Sequence, residues 1–248
     1  MTIAFVHGVP ETADIWTALR GHMSEETVTI SPPGFGAPVP DGFGCTTDDY
    51  LAWMIEEVAA LPGPVDLIGH DWGGLHTLRL AMARPDLIRC WISDVVGLLD
   101  PAYKWHDLAQ SWQTPEMGEQ VVGMMAAAPA KVKAAQLVGA SMPEETALAV
   151  AEMMNENMAK AILPLYRSAA QPRMAELGED LSKVGTMPGL AIVAEKDAYT
   201  GGDELALRAA ARAGAEVARL PGLGHWWMCQ EPKKGAELIE AFLAKVRS

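Results

Sequence analysis

The sequence predicts an α/β fold with a mostly parallel central sheet flanked by helices. Six short runs of apolar or β-branched residues indicate strands. Segments with apolar residues at helical spacing, such as 50–61 and 74–83, lie between several of these runs, and this alternation favours parallel pairing. Two runs are apolar throughout, as expected of strands buried on both faces. The six runs are 3–6, 27–30, 65–69, 90–95, 190–194 and 216–220.

The alternation stops between residues 98 and 183. This stretch has no convincing strand and is rich in Ala, Met, Gln and Glu, which are good helix formers. Prolines divide it into short helices. We therefore predict an all-helical cap at 98–183, inserted after the strand that ends near Val95, and a core made of residues 1–97 and 184–248.

Composition limits the class of protein. The chain has 248 residues, half of them hydrophobic, which suits one domain with a sizeable core. The net charge of −13 argues against nucleic acid or an anionic membrane as a partner. Three cysteines without metal-like spacing indicate reduced thiols and a cytoplasmic setting. No signal peptide or membrane-spanning run is evident, and we expect a monomer or homodimer.

Four polar sequences follow predicted strands. In open α/β sheets, ligands bind beyond the carboxyl ends of the strands, so these sequences are candidates for one common site. They are HGVP at 7–10, GHDWGG at 69–74, EKDAYT at 195–200 and GLGHWW at 222–227.

Asp71 occupies the middle of GHDWGG, between a strand and a helix. Small residues on both sides let the strand turn sharply and hold the middle side chain strained and exposed, as nucleophiles are held. The helix N-terminus stabilises its negative charge. The alternative is that Asp71 only caps the helix, but a cap does not require glycines on both sides. We predict a nucleophile.

His225 follows the last predicted strand. A histidine there, after a nucleophile and an acid, matches the chain order nucleophile, acid, histidine. The acid candidates are Asp197, Glu195, Asp203 and Asp94. Asp197 is best placed, just beyond a strand, to hold the imidazole tautomer. Asp94 is the reserve.

HGVP supplies backbone donors. The N–H of Val9, just after the His-Gly turn, is expected to join the N–H of Trp72 in an oxyanion hole.

These four pieces, in this order, resemble the α/β-hydrolase fold family, and GHDWGG resembles its aspartate-nucleophile branch of epoxide hydrolases, haloalkane dehalogenases and haloacetate dehalogenases. The resemblance covers nearly the whole chain, including the cap. One departure is that the sequence opens directly on the strand leading into HGVP, so a smaller sheet is expected.

An aspartate nucleophile indicates the reaction type. Attack on an acyl carbonyl would give a high-energy anhydride, whereas attack on saturated carbon gives an alkyl ester and expels an alkoxide or halide. His225 then activates the water that attacks the carboxyl carbon of Asp71. This chemistry argues against an ordinary esterase, lipase or peptidase.

The cap residues bear on the leaving group. The segment ILPLYRSA around Tyr166 is similar to the cap segment in which epoxide hydrolases carry a ring-opening tyrosine followed by arginine. The alternative is that Tyr166 is a core residue of a cap helix. Pro164 is expected to kink this helix.

A second cap segment departs from the epoxide-hydrolase pattern. Trp105 stands where a second tyrosine usually lies, with Tyr103 nearby. Trp105 and His106 beside Tyr166 permit a dehalogenase in which Trp72 and Trp105 cradle the halide. Val9 argues against this, since haloalkane dehalogenases often have asparagine there.

The sequence thus favours an enzyme that opens an epoxide with water to give a vicinal diol. The alternative is hydrolytic dehalogenation of a haloalkane or haloacetate, and a third hypothesis is a non-catalytic ligand-binding member of the fold. We expect a small apolar substrate, water as cosubstrate, no metal or organic cofactor, and Trp226 beside His225 as pocket lining.

Overall fold

A computed structural model describes all residues, 1–248. Its single sheet has six strands in the order β2-β1-β3-β4-β5-β6, and all neighbours pair in parallel. The predicted α/β class is confirmed. The strands are β1 Ile3–Val6, β2 Thr27–Ile30, β3 Val65–Gly69, β4 Ile88–Ser93, β5 Gly189–Ala194 and β6 Glu216–Leu220.

Twelve α-helices connect and cover the strands. The helices of the two outer segments are α1 Thr17–Arg20, α2 Thr47–Ala59, α3 Trp72–Ala83, α10 Asp203–Arg212, α11 Trp227–Gln230 and α12 Pro232–Val246. Those between β4 and β5 are α4 Asp107–Gln113, α5 Met117–Ala127, α6 Ala130–Gly139, α7 Glu144–Met153, α8 Glu156–Ser168 and α9 Arg173–Leu177.

Three of the four interior strands, β1, β3 and β5, are buried at every position. Helices cover both faces of the sheet, so these strands consist of consecutive apolar residues with few exceptions. The fourth strand differs from its predicted range, 90–95, by starting and ending two residues earlier. The structure therefore leaves Asp94 and Val95 beyond the sheet.

No strand interrupts the chain between β4 and β5. Helix α8 continues through Pro164. Arg167 on α8 forms a bidentate ion pair with Glu119 on α5, with both distances at 2.8 Å. The arginine that follows Tyr166 therefore links two helices of the inserted segment.

No single helix is long and apolar enough to cross a membrane. Helices α5 and α6 meet that test of length and composition only when joined, and a bend of 111° separates them.

Candidate active site

The polar sequences predicted to share a site lie at one edge of the sheet. They follow the carboxyl ends of β1, β3, β5 and β6, and Asp94 follows β4. Because all strands run in parallel, these ends meet at the same edge.

Asp71 lies at a sharp turn between β3 and α3. Its backbone has φ 50° and ψ −126°, a region that costs free energy for a residue with a side chain. A Cβ atom on Gly69 would come within 2.3 Å of the Gly73 carbonyl oxygen, and one on Gly73 within 2.4 Å of the Val6 carbonyl oxygen. Glycine is therefore required on both sides of Asp71 for this turn to pack against β1.

The Asp71 carboxylate makes no capping hydrogen bond to α3. Its Oδ1 instead accepts a hydrogen bond of 2.9 Å from the backbone N–H of Val9. Burial raises the pKa of Asp71 to about 6, against the opposing effect of His225. The group is thus mostly ionised at neutral pH, with one oxygen held and the other free.

His225 lies between Asp71 and Asp197. Its Nδ1 is 2.8 Å from Asp197 Oδ2, and its Nε2 is 3.9 Å from Asp71 Oδ2. Asp197 is held in turn by the N–H of Tyr199, which donates to Oδ1 at 2.8 Å. Burial acts to lower the pKa of His225, but the nearby carboxylates outweigh it and leave the pKa raised.

Asp94, the reserve acid, contacts a different histidine. Its Oδ2 lies 2.5 Å from His70 Nδ1 and accepts the Trp227 indole N–H at 2.7 Å. Its Oδ1 accepts the backbone N–H of Asp71 at 3.1 Å. The structure therefore brings Asp197, rather than Asp94, to His225.

Glu11 is a buried residue of this site that sequence reasoning missed. Its Oε1 lies 3.3 Å from His70 Nε2 and accepts the Trp226 indole N–H, and its Oε2 accepts the N–H of Gly8 at 3.2 Å. Burial would raise the pKa of Glu11, but His70 holds it at about 2. The only signal in the sequence was its position directly after HGVP.

His70 thus lies between two carboxylates. Burial acts to lower its pKa, but Asp94 and Glu11 together raise it well above the ordinary value. A positive charge therefore lies in the layer directly behind Asp71, where it favours the ionised form of this carboxylate.

A cavity of about 190 Å³ opens above Asp71. Of the predicted site residues, Asp71, Val9, His225, Tyr166, His106 and Trp226 line it. Most of the remaining lining residues belong to the helical segment between β4 and β5. Most of them are apolar, as in sites that bind small organic molecules. Other lining residues are Pro10, Glu11, Leu108, Trp112, Met125, Gln136, Leu137, Ala140, Met154 and Tyr199.

Tyr166 is buried in the cavity wall, against Trp72 and Trp112. Burial raises the pKa of its hydroxyl well above the ordinary value, and the charge of Asp71 adds to this effect. The hydroxyl therefore stays protonated at neutral pH and is able to donate a hydrogen bond.

Trp105 and Tyr103 do not line the cavity, contrary to prediction. The Trp105 indole N–H donates to the Ala169 carbonyl at 2.9 Å, and the Tyr103 hydroxyl donates to the Tyr199 carbonyl at 2.9 Å. Trp105 stacks on Trp72, with 5.8 Å between ring centroids. Both side chains are therefore used for packing, and the Trp105 N–H is not available to a halide. Trp72 is likewise buried behind the lining.

Trp112 lines the cavity instead. It lies on α4, and its indole nitrogen is buried without a hydrogen-bond partner. His106 precedes α4, and its Nδ1 accepts the N–H of Ala109 at 3.3 Å. Burial lowers the pKa of His106 to about 4, so the ring is neutral with its proton on Nε2.

An ionised carboxylate at a strained turn, a histidine–carboxylate pair beside it and a backbone donor on one of its oxygens are the parts of a hydrolase that uses a covalent intermediate. The profile of the alpha/beta hydrolase family matches residues 3–238. The chain belongs to this family.

Curated relatives match only part of the chain. An epoxide hydrolase of Caballeronia sordidicola is 31% identical over 112 residues, which are 40% of this chain and 31% of the relative. An (E)-2-((N-methylformamido)methylene)succinate hydrolase of Acinetobacter baylyi is 30% identical over 90 residues, 35% of this chain and 34% of the relative. The match thus spans about a third of the length of each relative.

Solved structures are similar over nearly the whole chain. A haloalkane dehalogenase loop variant from Bradyrhizobium elkanii has a TM-score of 0.73 at 17% identity, covering 99% of this chain and 89% of the other. An E-2-(acetamidomethylene)succinate hydrolase has a TM-score of 0.74 at 16% identity, covering 98% and 91%. At these identities the likeness establishes the fold alone.

Proposed function

We propose that this protein is a hydrolase that acts through an alkyl ester on Asp71, and that its substrate is an epoxide, which it converts to a vicinal diol. The observation that carries the proposal is the carboxylate at the strained turn, since this nucleophile suits saturated carbon. His225 acts as the base, Asp197 orients it, and Tyr166 donates to the leaving oxygen.

The two oxygens of Asp71 have separate roles in the first step. Oδ1 is held by the Val9 N–H, which leaves Oδ2 free to attack the epoxide carbon. The ring C–O bond breaks as the new ester bond forms. The ring oxygen takes a proton from Tyr166, and water returns the proton to the phenol.

Water completes the reaction in the second step. His225 removes a proton from water as the water oxygen attacks the carboxyl carbon of Asp71, and the charge that develops on the carboxyl oxygen is stabilised by the N–H groups of Val9 and Trp72. The diol oxygen then leaves with the proton from His225. The carboxylic acid left on Asp71 gives up its proton, which neutralises the hydroxide formed when water reprotonated the Tyr166 phenol, and the carboxylate is restored. The separation of 3.9 Å between His225 Nε2 and Asp71 Oδ2 exceeds a direct hydrogen bond and fits a base that acts on water.

The charge of the cavity favours a neutral substrate. Its charged lining groups are the carboxylates Glu11 and Asp71, and no lysine or arginine is among the lining residues. A haloacetate would bring a third carboxylate without a cation to pair with it, which is costly in a closed site.

Dehalogenation of a neutral haloalkane is the second candidate. It is favoured by Trp112, whose unpartnered indole N–H belongs to a residue of the cavity wall. A halide needs such a donor but no proton, so Tyr166 would then be dispensable.

A parallel screen of small epoxides and haloalkanes tests the proposal, with diol formation and halide release measured on the same preparation. Intact-mass analysis of His225→Gln after substrate addition should show one alkyl adduct on Asp71. Asp71→Asn is the matched control and should show neither adduct nor turnover. Full activity in Asp71→Asn would disprove the mechanism.

Tyr166→Phe separates the two substrates. We expect epoxide opening to slow by roughly 10²–10⁴-fold, the usual contribution of a positioned acid. Release of halide from a haloalkane should change by less than about tenfold, because no proton is needed at the leaving group. Single-turnover measurements of ester formation check this, with Tyr199→Phe as the control tyrosine of the same cavity. Unchanged epoxide opening in Tyr166→Phe would assign the acid elsewhere.

A further inference from the structure

Three buried side chains behind the nucleophile place metal-binding atoms together. One ligand atom from each of Glu11, His70 and His225 lies within 4.8 Å of the other two. The residues are 1%, 0% and 7% exposed. Two imidazole nitrogens and one carboxylate oxygen are a common ligand set for zinc.

Both histidines have the orientation that metal-binding histidines require. The Nδ1 atom of His70 is held by Asp94 at 2.5 Å, and that of His225 by Asp197 at 2.8 Å. A carboxylate on one ring nitrogen fixes the ring and leaves the other nitrogen for a metal. His70 Nε2 lies 3.3 Å from Glu11 Oε1, the spacing of two ligand atoms on one zinc ion, so the ion would replace the proton between them.

The surrounding charge is compatible with a divalent cation. Four carboxylates face these two rings, so the cluster stays negative even when both imidazoles are protonated. A divalent ion bound to both Nε2 atoms would take the place of their two protons and leave the net charge of the cluster unchanged. The four carboxylates are those of Glu11, Asp71, Asp94 and Asp197.

We propose that Glu11, His70 and His225 form an inhibitory site for a divalent transition-metal ion, with Zn²⁺ as the best match. Two imidazole ligands disfavour Ca²⁺ and Mg²⁺, which take oxygen ligands. Ligand atoms around tetrahedral zinc lie about 3.3 Å apart, so the side chains must close slightly from their present spacing. Glu11 and His225 line the cavity, which gives the ion its route of entry.

Zinc on His225 would occupy the nitrogen that otherwise takes a proton from water. Turnover should then stop, and a chelator should restore it. This consequence rests on the proposed function, whereas binding of the ion does not.

Calorimetry with Zn²⁺ and visible absorption with Co²⁺ test the site on the chelator-treated full chain without substrate. We expect one ion per chain and the intense visible bands of tetrahedral cobalt. Glu11→Gln and His70→Gln should each weaken binding at least tenfold, whereas His22→Gln, at an exposed histidine, should bind like the wild type. Equal affinity in Glu11→Gln and the wild type, or no one-to-one binding, would overturn the proposal.

Glu11→Gln keeps the shape of the side chain, and circular dichroism verifies its fold. If neither variant folds, the wild-type cobalt spectrum decides, since ions bound at surface carboxylates remain octahedral. A chain that binds zinc but turns over no substrate refutes only the proposed function. A chain that turns over substrate but binds no zinc refutes only this inference.

Discussion

Two histidine–carboxylate pairs lie side by side beneath the cavity, with 4.5 Å between the centroids of their rings. In the first pair, Asp197 contacts Nδ1 of His225, and the far nitrogen of the ring, Nε2, faces Asp71. In the second pair, Asp94 contacts Nδ1 of His70, and Nε2 faces Glu11. The same two residue types therefore occur twice in one site, with different neighbours.

The neighbour on the far nitrogen distinguishes the two pairs. His225 faces Asp71 at 3.9 Å, beyond a direct hydrogen bond, which suits a base that exchanges protons with a third group. His70 faces a second carboxylate in a fully buried position and keeps its proton, which suits a fixed positive charge. In the proposed mechanism the first pair takes part in the reaction, and the second positions the groups around it.

Replacing each histidine by glutamine should give the largest contrast. In His225→Gln, hydrolysis of the Asp71 ester should slow by about 10³–10⁴-fold, since no base activates the water, and the ester should accumulate. In His70→Gln the ester should still be hydrolysed, while the free energy of unfolding falls by roughly 3–5 kcal/mol, because two buried carboxylates lose their shared cation. Intact-mass and denaturant measurements check both. Accumulation of the ester in His70→Gln would reverse the two roles.

Replacing Asp197 and Asp94 by asparagine should give the same kind of contrast between the two pairs, but a smaller one. Asp197→Asn should slow hydrolysis of the ester by about 10²–10⁴-fold, because the His225 tautomer and imidazolium lose their partner. Asp94→Asn should leave this step within about tenfold and act on stability, since Asp94 serves His70, Trp227 and the Asp71 backbone. Rapid-quench kinetics of the second step, with thermal unfolding of both variants, compares them. Equal kinetic losses would mean that Asp94 also supports the base.

Local sequence was enough to predict the first pair. Asp197 follows the buried strand β5 and His225 follows the edge strand β6, each within a few residues, and the parallel sheet brings such positions to one edge. The glycines around Asp71 similarly identify the turn, because their requirement is local. The predicted range of strand β4 was two residues too late, because the ends of this strand depend on pairing with its neighbours. Pairing with β3 begins at Ile88, and pairing with β5 begins at Trp91.

The surroundings of the second pair, and the packing of the helices between β4 and β5, are set by contacts between residues distant in sequence. Glu11 meets His70 and the Trp226 indole across 59 and 215 positions, and no local pattern announces its burial. Which cap tryptophan faces the cavity depends on how α4 packs. Trp105 precedes that helix and bonds to Ala169, whereas Trp112, two turns along, reaches the cavity wall.

The smallest expected effect is on the pH dependence of ester formation. It measures most directly how the charge of His70 acts on Asp71. Burial raises the pKa of Asp71 to about 6, and the carboxylate must be ionised to attack. The rate of ester formation should therefore be constant above pH 7 and fall by about tenfold for each unit below pH 6, because protonation removes the nucleophile.

The positive charge of His70 opposes the rise in the pKa of Asp71, so His70→Gln should move the midpoint to higher pH. Single-turnover rates between about pH 5 and 8 measure both midpoints, and His22→Gln, at an exposed histidine, is the control. An unmoved midpoint in His70→Gln would show that the second pair holds only the structure, and that the ionisation of Asp71 depends on His225 and the Val9 N–H.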